Sequence, residues 1–556
     1  MPTYSGPMSS ATGADFLQLD PAAAPARGMT DWLADAIRAA ILDGRLQAGA
    51  LLPATRVLAD DLGISRGVTV EAYQRLADEG LVSGRPGAGT RVLGCSGRRS
   101  GPVRSRAAGP PDRSQEAERA GPRERPAPPG QQQPVRPGRR ERPDAGGMAA
   151  QREGLDPALL PERWRARAEL DLSPGLPDLS GFPRAAWLRA ERAVLEQAST
   201  ADLGYGDPRG CGHLRAELTG WLARTRGLRT EPDDIIIVTG VAQALALLAQ
   251  RLAAHEPADR ATGHGPADRA TGYGPVRRAV TEVGVEDPGS RGSRDELAYW
   301  GLRPVPVPVD EHGLQVDALV RTGVRAVSLT PAHQFPTGVV LAPQRRRELL
   351  DWAAATDALI IEDDYDAEYR YDRAPVPALQ ASAPGHVAYA GSTSKTLAPG
   401  MRLGWLIPPP RLHAELVEAK RASDLGSPAL PQLVLAQLIA SGELEQHIRT
   451  VRKRQRSRRD ALLGALAEQL PQACVQGIAA GLHLLITFPE LAGRIEDTEL
   501  AERILRAGVL VHPLSWHRQR PGVPGIILGY AVHTPDQLRA AVRRIALVTQ
   551  QASPAG

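Results

Sequence analysis

The chain is poor in cysteine. Cys95, Cys211 and Cys474 are three scattered thiols in 556 residues, so no disulfide framework is expected, and the absence of a Cys-x-x-Cys pair indicates no zinc site. No apolar run reaches the 18 or more residues of a membrane-spanning helix. The start, Met1-Pro-Thr-Tyr-Ser-Gly-Pro, lacks the basic-then-apolar form of a secretory signal. A cytoplasmic protein without a membrane partner is the expectation. An excess of one charge sign is missing as well. With 67 Lys+Arg against 63 Asp+Glu the formal net charge is only +4, so any affinity for nucleic acid has to come from a local patch. What is present is length enough for two or more domains and the 42% apolar content of a globular chain.

Composition divides the chain. From 94 to 169 Arg, Pro, Gly, Gln and Ala dominate, as in Gly121-Pro-Arg-Glu-Arg-Pro-Ala-Pro-Pro-Gly-Gln-Gln-Gln-Pro134, with few apolar groups to bury. This segment reads as a disordered linker between an N-terminal domain, 14–93, and a body, 170–548, whose large part ends near 410. At about 75 residues its mean span is on the order of 50 Å, against roughly 34 Å between DNA half-sites one helical turn apart. Such a linker permits a dimer to reach both half-sites and does not fix their spacing. Inside the body, Pro257-Ala-Asp-Arg-Ala-Thr-Gly263 recurs as Pro266-Ala-Asp-Arg-Ala-Thr-Gly272, which reads as an extended surface loop.

Lys395 lies in Gly391-Ser-Thr-Ser-Lys-Thr-Leu-Ala-Pro-Gly-Met-Arg402. Hydroxyls at Ser392 and Ser394 and the Arg402 guanidinium around an amine suit an aldehyde cofactor that carries a phosphate, pyridoxal 5'-phosphate (PLP). The lysine would condense with the aldehyde as a Schiff base while the others hold the phosphate oxygens. Upstream, Ala358-Leu-Ile-Ile-Glu-Asp-Asp-Tyr365 reads as a buried strand that delivers Asp363 to the pyridine nitrogen and Tyr365 to the 3-oxygen. Glu362 and Asp364 stand beside Asp363 as alternatives for the inward acid.

These motifs resemble the fold-type I PLP enzymes, the aminotransferase superfamily, over roughly residues 168–548. Ile235-Ile-Ile-Val-Thr-Gly240-Val-Ala-Gln-Ala-Leu reads as a strand entering a helix, with Gly240, Val241, Ala242 and Gln243 offering backbone N–H groups to the phosphate. Leu203-Gly-Tyr205-Gly-Asp-Pro-Arg-Gly210 resembles the turn whose tyrosine reaches the phosphate of the neighbouring subunit, which implies a homodimer; a tight surface turn is the alternative. Short apolar runs at 326–329, 359–361, 387–389 and 402–407 argue for an α/β body with a mainly parallel sheet, followed after Pro410 by a small α+β domain.

Three positions depart from that family. Ser290 stands where relatives carry an aromatic stacked on the cofactor, a face that His333 would cover instead. Phe335 stands where an asparagine meets the cofactor oxygen, leaving His333 or Gln334 as substitutes. Ile527 stands where aminotransferases place the arginine that grips the substrate carboxylate. Isoleucine cannot make that contact.

The N-terminal domain reads differently. An amphipathic stretch with Leu33, Ile37 and Ile41 is followed by a turn at Leu51–Thr55 and a short helix over 56–62. After Gly63, Ser65 caps a helix over 66–79 with Val70, Tyr73 and Leu76 on its apolar side. Two strands with a glycine-rich tip, 80–92, complete a winged helix-turn-helix. The wording Leu52-Pro-x-x-Arg56, Ile64-Ser-Arg66 and Glu71-Ala-Tyr73 resembles the DNA-binding domain of the GntR family, which implies DNA contact by Arg56, Ser65, Arg66, Thr69, Arg85 and Arg91.

A GntR head on an aminotransferase-like body is the arrangement of the MocR subfamily of bacterial transcription regulators. The resemblance implies a regulator that binds double-stranded operator DNA and senses PLP, or an amino-compound adduct of it. Ile527 favours PLP itself, hence control of vitamin B6 synthesis. The alternatives are an active PLP-dependent aminotransferase with a passive head, and a scaffold that has lost the cofactor.

Overall fold

In the computed structural model the described residues are 28–42, 45–46, 49–85, 89–93, 167–253, 280–372, 376–477 and 479–552. The expected linker as far as residue 166, the 257–272 duplication and Cys95 lie outside them, whereas Glu169, expected in the linker, already belongs to the body, its N–H donating to the Gly508 carbonyl at 2.9 Å.

In the N-terminal domain the spacing of apolar residues fixes the packing. Helix α1 (Met29–Leu42) buries Leu33, Ile37 and Ile41, a stripe repeating every fourth residue. Strand β1 (Leu51–Leu52) is followed by α2 (Thr55–Asp61), then by a turn at Gly63 and by α3 (Arg66–Asp78). The Ser65 hydroxyl caps α3 by accepting from the Val68 N–H at 3.4 Å. Strands β2 (Val82–Arg85) and β3 (Gly89–Val92) form the hairpin, and β1 joins it antiparallel, giving the order β1-β3-β2. Leu51–Leu52 is thus a third strand of the wing and not the start of a turn. A second correction concerns α3. Its buried stripe is Thr69, Ala72, Tyr73 and Leu76, while Val70 is 45% exposed. One residue turns a helix by roughly 100°, which is enough to exchange the two positions between core and solvent.

The body is α/β. Its strands are β4 (Leu170–Asp171), β5 (Ile236–Val238), β6 (Glu282–Asp287), β7 (Arg303–Asp310), β8 (Gly313–Leu314), β9 (Ala326–Leu329), β10 (Leu359–Asp364), β11 (Val387–Ser392) and β12 (Gly404–Ile407). Helix α4 (Val241–Ala253) follows β5 and α5 (Arg291–Tyr299) follows β6. The large sheet runs β5-β12-β11-β10-β9-β6-β7-β8, parallel from β11 through β7. Both faces are covered: Leu359 and Ile361 of β10 enter one apolar cluster and Ile360 another. Strand β12 is antiparallel to both its neighbours. The chain returns from Ser392 to Gly404 too soon for the crossover of a dozen or more residues, usually a helix, that a parallel strand needs. That tight return is the segment carrying Lys395 and Arg402.

Strand β7, Arg-Pro-Val-Pro-Val-Pro-Val-Asp, was not apparent in the sequence because its prolines break the strand pattern. They alternate, so the three nitrogens that lack a proton point away from β6. The carbonyls of Pro306 and Pro308 turn the same way, accepting from Arg520 at 3.1 Å and from the Gln315 N–H at 2.9 Å.

The small domain comprises α6 (Glu443–Gln469), β13 (Cys474–Gln476), β14 (His483–Thr487), α7 (Asp497–Arg506), β15 (Val509–Leu510), β16 (His512–Pro513), β17 (Gly525–Gly529) and α8 (Pro535–Ala552). Its sheet order is β13-β14-β17-β16, and β15 pairs separately with β4. Leu484, Ile486, Ile526 and Leu528 join the core formed with α7 and α8. Alternation sends His483, Leu485 and Ile527 to the other face. Among the described residues no helix is long and apolar enough to cross a membrane.

Candidate cofactor site and nucleic-acid face

The return from β11 to β12 and the turn from β5 into α4 meet at one end of the sheet. Gly404 and Gly240 pack so closely that a Cβ on Gly404 would lie 2.9 Å from the Gly240 Cα. Only glycine fits there, and the contact fixes Arg402 next to the start of α4. A Cβ on Gly240 would stand 3.8 Å and 3.9 Å from the two terminal guanidinium nitrogens of Arg402. Val241, Ala242 and Gln243 form the first turn of α4, whose backbone N–H groups have no partner within the helix. The Gln243 side chain points elsewhere: its amide donates to Asp424 at 2.8 Å and its oxygen accepts from the Thr239 N–H at 2.9 Å. Gln243 therefore has only its backbone to offer.

Lys395 projects into the same cleft, where its amine donates to the Gly175 carbonyl at 2.6 Å. Its own carbonyl accepts from Tyr369 at 2.7 Å, and His447 donates to the next carbonyl, Thr396, at 2.8 Å. Ser392 is buried and Ser394 half-buried; the Ser394 N–H donates to the Ser392 hydroxyl at 3.4 Å. Burial lowers the proton affinity of the Lys395 amine below that of an ordinary lysine, opposed by the charges of Asp366 and Asp363. A less protonated amine is the better nucleophile toward an aldehyde.

Strand β10 separates its three acids by alternation. Glu362 accepts from the Leu379 and Gln380 N–H groups at 3.0 and 3.1 Å. Asp364 pairs with Arg226 and accepts from the Tyr389 hydroxyl, each at 2.5 Å. Both are turned from the cleft; Glu362 is engaged through both oxygens and Asp364 through Oδ2, while Asp364 Oδ1 has no hydrogen-bond partner among the described residues. Asp363 is the inward acid: its Oδ1 is buried with no hydrogen-bond partner among the described residues. Burial, then the charge of Asp364, raises its pKa to about 7 against the pull of Lys395. A buried carboxylate oxygen left without a partner, within electrostatic reach of the Lys395 amine, fits a pyridine N–H. Tyr365 lies with its hydroxyl 3.0 Å from His333 Nδ1, and the same nitrogen is 3.0 Å from Asp366.

Of the two substitutes for the missing asparagine, Gln334 is committed to the backbone, donating to Pro288 and Phe335 and accepting from Thr337. His333 is the one that faces Tyr365. Ser290 has a structural use, capping α5 by accepting from the Ser293 N–H at 3.2 Å. Tyr205 is 94% exposed and makes no hydrogen bond within the described residues. Gly175, Asp366, Tyr369, His447 and His483 were not anticipated; a tyrosine-rich run after Asp364 was the one available signal.

In the head, Arg56, Ser65 and Arg66 are exposed at the starts of α2 and α3. Arg91 is exposed and donates to the Gly49 carbonyl at 3.1 Å. The Arg85 side chain lies outside the described residues. Thr69 is corrected: it is fully buried, so it cannot touch a ligand. The outward face of α3 consists of Arg66, Gly67, Val70, Glu71 and Gln74.

Residues 30–92 match the bacterial regulatory proteins of the gntR family, and residues 287–545 match aminotransferase class I and II. The chain is 30% identical over 524 residues to the HTH-type pyridoxine biosynthesis transcriptional regulator PdxR of Corynebacterium glutamicum, covering 92% of this chain and 94% of that one. It is 28% identical over 518 residues to the probable rhizopine catabolism regulatory protein MocR of Rhizobium meliloti, covering 92% of each. The body superposes on the kynurenine aminotransferase of Pyrococcus horikoshii with a TM-score of 0.63 at 26% identity, over 73% of this chain and 97% of that one. LysN, the α-aminoadipate aminotransferase of Thermus thermophilus, gives 0.61 at 25% identity, over 73% and 98%. With both halves accounted for in one continuous match, the chain belongs to the MocR-type branch of the GntR family of transcription regulators.

Proposed function

We propose that the body holds PLP at Lys395 and that its occupancy controls how a homodimer grips double-stranded operator DNA. The observation that carries this reading is the buried Asp363 oxygen without a partner, set within electrostatic reach of the Lys395 amine. PLP supplies an aldehyde, an electron-withdrawing ring and a phosphate dianion. Lys395 is the amine for the aldehyde, Asp363 takes the ring N–H, and Tyr365, oriented by His333, serves the ring oxygen. Arg402, Ser392, Ser394 and the N–H groups of Gly240, Val241, Ala242 and Gln243 hold the phosphate. Tyr205, exposed on its own subunit, reaches the neighbouring one. In the head, Arg56, Ser65, Arg66 and Arg91 contact the phosphate backbone, with Arg85 at the wing, and Val70 replaces Thr69 as the apolar contact of α3 with a base edge.

Footprinting on the DNA beside its own gene, with and without PLP, tests the reading. A protected site whose affinity changes with PLP is expected; indifference to PLP and to any amine refutes sensing.

The lowered proton affinity of Lys395 also favours a second reading, slow transamination. Keto-acid formation from a panel of amino acids decides it, and brisk turnover would establish an enzyme.

A further inference from the structure

Asp364, turned from the cofactor cleft, pairs with Arg226, and Arg226 borders a separate cavity of about 500 Å³. Its walls come from both parts of the chain: α1 and the end of α3 in the head, and the helix Gly212–Arg226 and α6 in the body. Ligand pockets are typically of this size, and they favour such junctions. The two parts touch one residue on from Glu79, which is itself in the wall. A Cβ on Gly80 would lie 2.8 Å from the Pro343 carbonyl oxygen and 3.3 Å from Arg347 Cγ, so a side chain there would force head and body apart.

The ions of the head wall are matched among themselves. Arg38 holds Glu79 at 2.5 and 2.6 Å and also Asp35, while Arg75 holds Asp31 and, at 3.0 Å, Glu71. The body wall is not matched. Arg224 is paired with Glu445 at 3.2 Å. Arg452 uses only its Nε, donating to the Glu368 carbonyl at 2.7 Å, and its two terminal nitrogens have no partner among the described residues. Arg449, one turn before it, forms neither an ion pair nor a hydrogen bond among those residues. Arg226 adds a buried Nη2 without a partner. Glu368 is raised to about 7 by burial and then by the charge of Asp364, so at neutral pH it cancels only part of one positive charge. Like charges three residues apart on a helix repel, and an anion between them would turn that repulsion into attraction.

We propose that this junction is a second ligand site, taking a small carboxylate or phosphate ester whose oxygens Arg449 and Arg452 hold against the α1 side of the cavity. Planar guanidinium forks match the two-oxygen geometry of either group. The assignment is independent of PLP, because Asp364 and Arg226 separate the cavity from the cleft of Lys395. Since head and body each supply a wall, the occupant fixes the DNA-binding helices against the part that carries Lys395.

The test is a calorimetric titration of the full-length protein with citrate, pyrophosphate and inorganic phosphate at constant ionic strength, in the presence of PLP so that the cofactor's own phosphate site is filled. At least one probe is expected to bind once per chain; tighter citrate assigns the carboxylate class and tighter pyrophosphate the phosphate class. Arg449→Gln and Arg452→Gln should each weaken that probe about tenfold or more, the scale of one charge-assisted hydrogen bond. Lys453→Gln, an equal loss of charge at an exposed position outside the cavity, should leave the affinity unchanged. Arg449 is exposed, so its replacement should fold; Arg452→Lys keeps the charge, should retain part of the affinity, and serves if Arg452→Gln does not fold. Hydrogen exchange reads the junction itself: the bound probe should slow exchange in α1 as well as in α6. No binding of any probe, an affinity that survives both arginine replacements, an equal loss in Lys453→Gln, or protection confined to α6 overturns the proposal.

Discussion

Arg226 and Asp364 form an ion pair of 2.5 Å in which the side chains are only 1% and 3% exposed. It holds Asp364 on the far face of β10 and leaves Asp363 as the acid of the cleft. Removing one partner strands a buried charge, so Arg226→Met is expected to destabilise the protein by about 3–5 kcal/mol. Arg226→Met with Asp364→Asn should recover much of that loss. Thermal unfolding of the unmodified protein, Arg226→Met, Asp364→Asn and the double variant side by side checks the ordering, and an additive double variant would contradict it.

Lys395→Arg keeps a cation but removes the primary amine. The variant is expected to lose borohydride fixation of PLP completely while the head still binds DNA. Peptide mapping of the reduced protein reads the first outcome and a gel shift the second.

The protein without PLP should lose stability as pH rises. Burial raises Asp363 to about 7, far above the ordinary aspartate value, so the folded state binds a proton that the unfolded state has released. Stability from this group is complete below about pH 4 and is lost as pH climbs through about 7. Glu286 and Glu368, each raised to about 7 by burial, and Glu362, raised to about 6, share the sign. A fall in the melting temperature between pH 5 and 8 is expected, smaller in Asp363→Asn. An unchanged slope in that variant would refute the assignment.

How much of this could be read in advance depended on distance along the chain. The Lys395 loop and the Gly240 turn are local, and their residue types name their chemistry. The choice among Glu362, Asp363 and Asp364 was not local, since it is made by Arg226, Tyr389 and the Leu379 N–H, which lie far away in sequence. The α3 face was misjudged because residue type was weighed above spacing: Val70 is the more apolar, but Thr69 stands at the helical spacing of Ala72, Tyr73 and Leu76.

The buried Thr69 hydroxyl has no hydrogen-bond partner among the described residues. Thr69→Val preserves shape and deletes an unsatisfied polar group, so it should be neutral or stabilising by up to about 1 kcal/mol, with operator affinity unchanged. Thr69→Ala should destabilise instead by opening a gap. Melting temperatures of the pair provide the comparison.

Arg66 is exposed at the start of α3. If it meets a backbone phosphate, Arg66→Ala should weaken binding to all sequences alike and reduce the slope of log affinity against log salt by about one unit. A loss confined to one base position would instead assign it to base reading.

The alternating prolines of β7 have a consequence for the protein at high concentration. An unpaired strand at the border of a sheet ordinarily recruits another molecule through its free amide protons. Beyond the stretch that β8 covers, β7 forms that border, and at 304 and 306 it has none to give, so pairing of a neighbouring copy along this margin is disfavoured by the backbone itself.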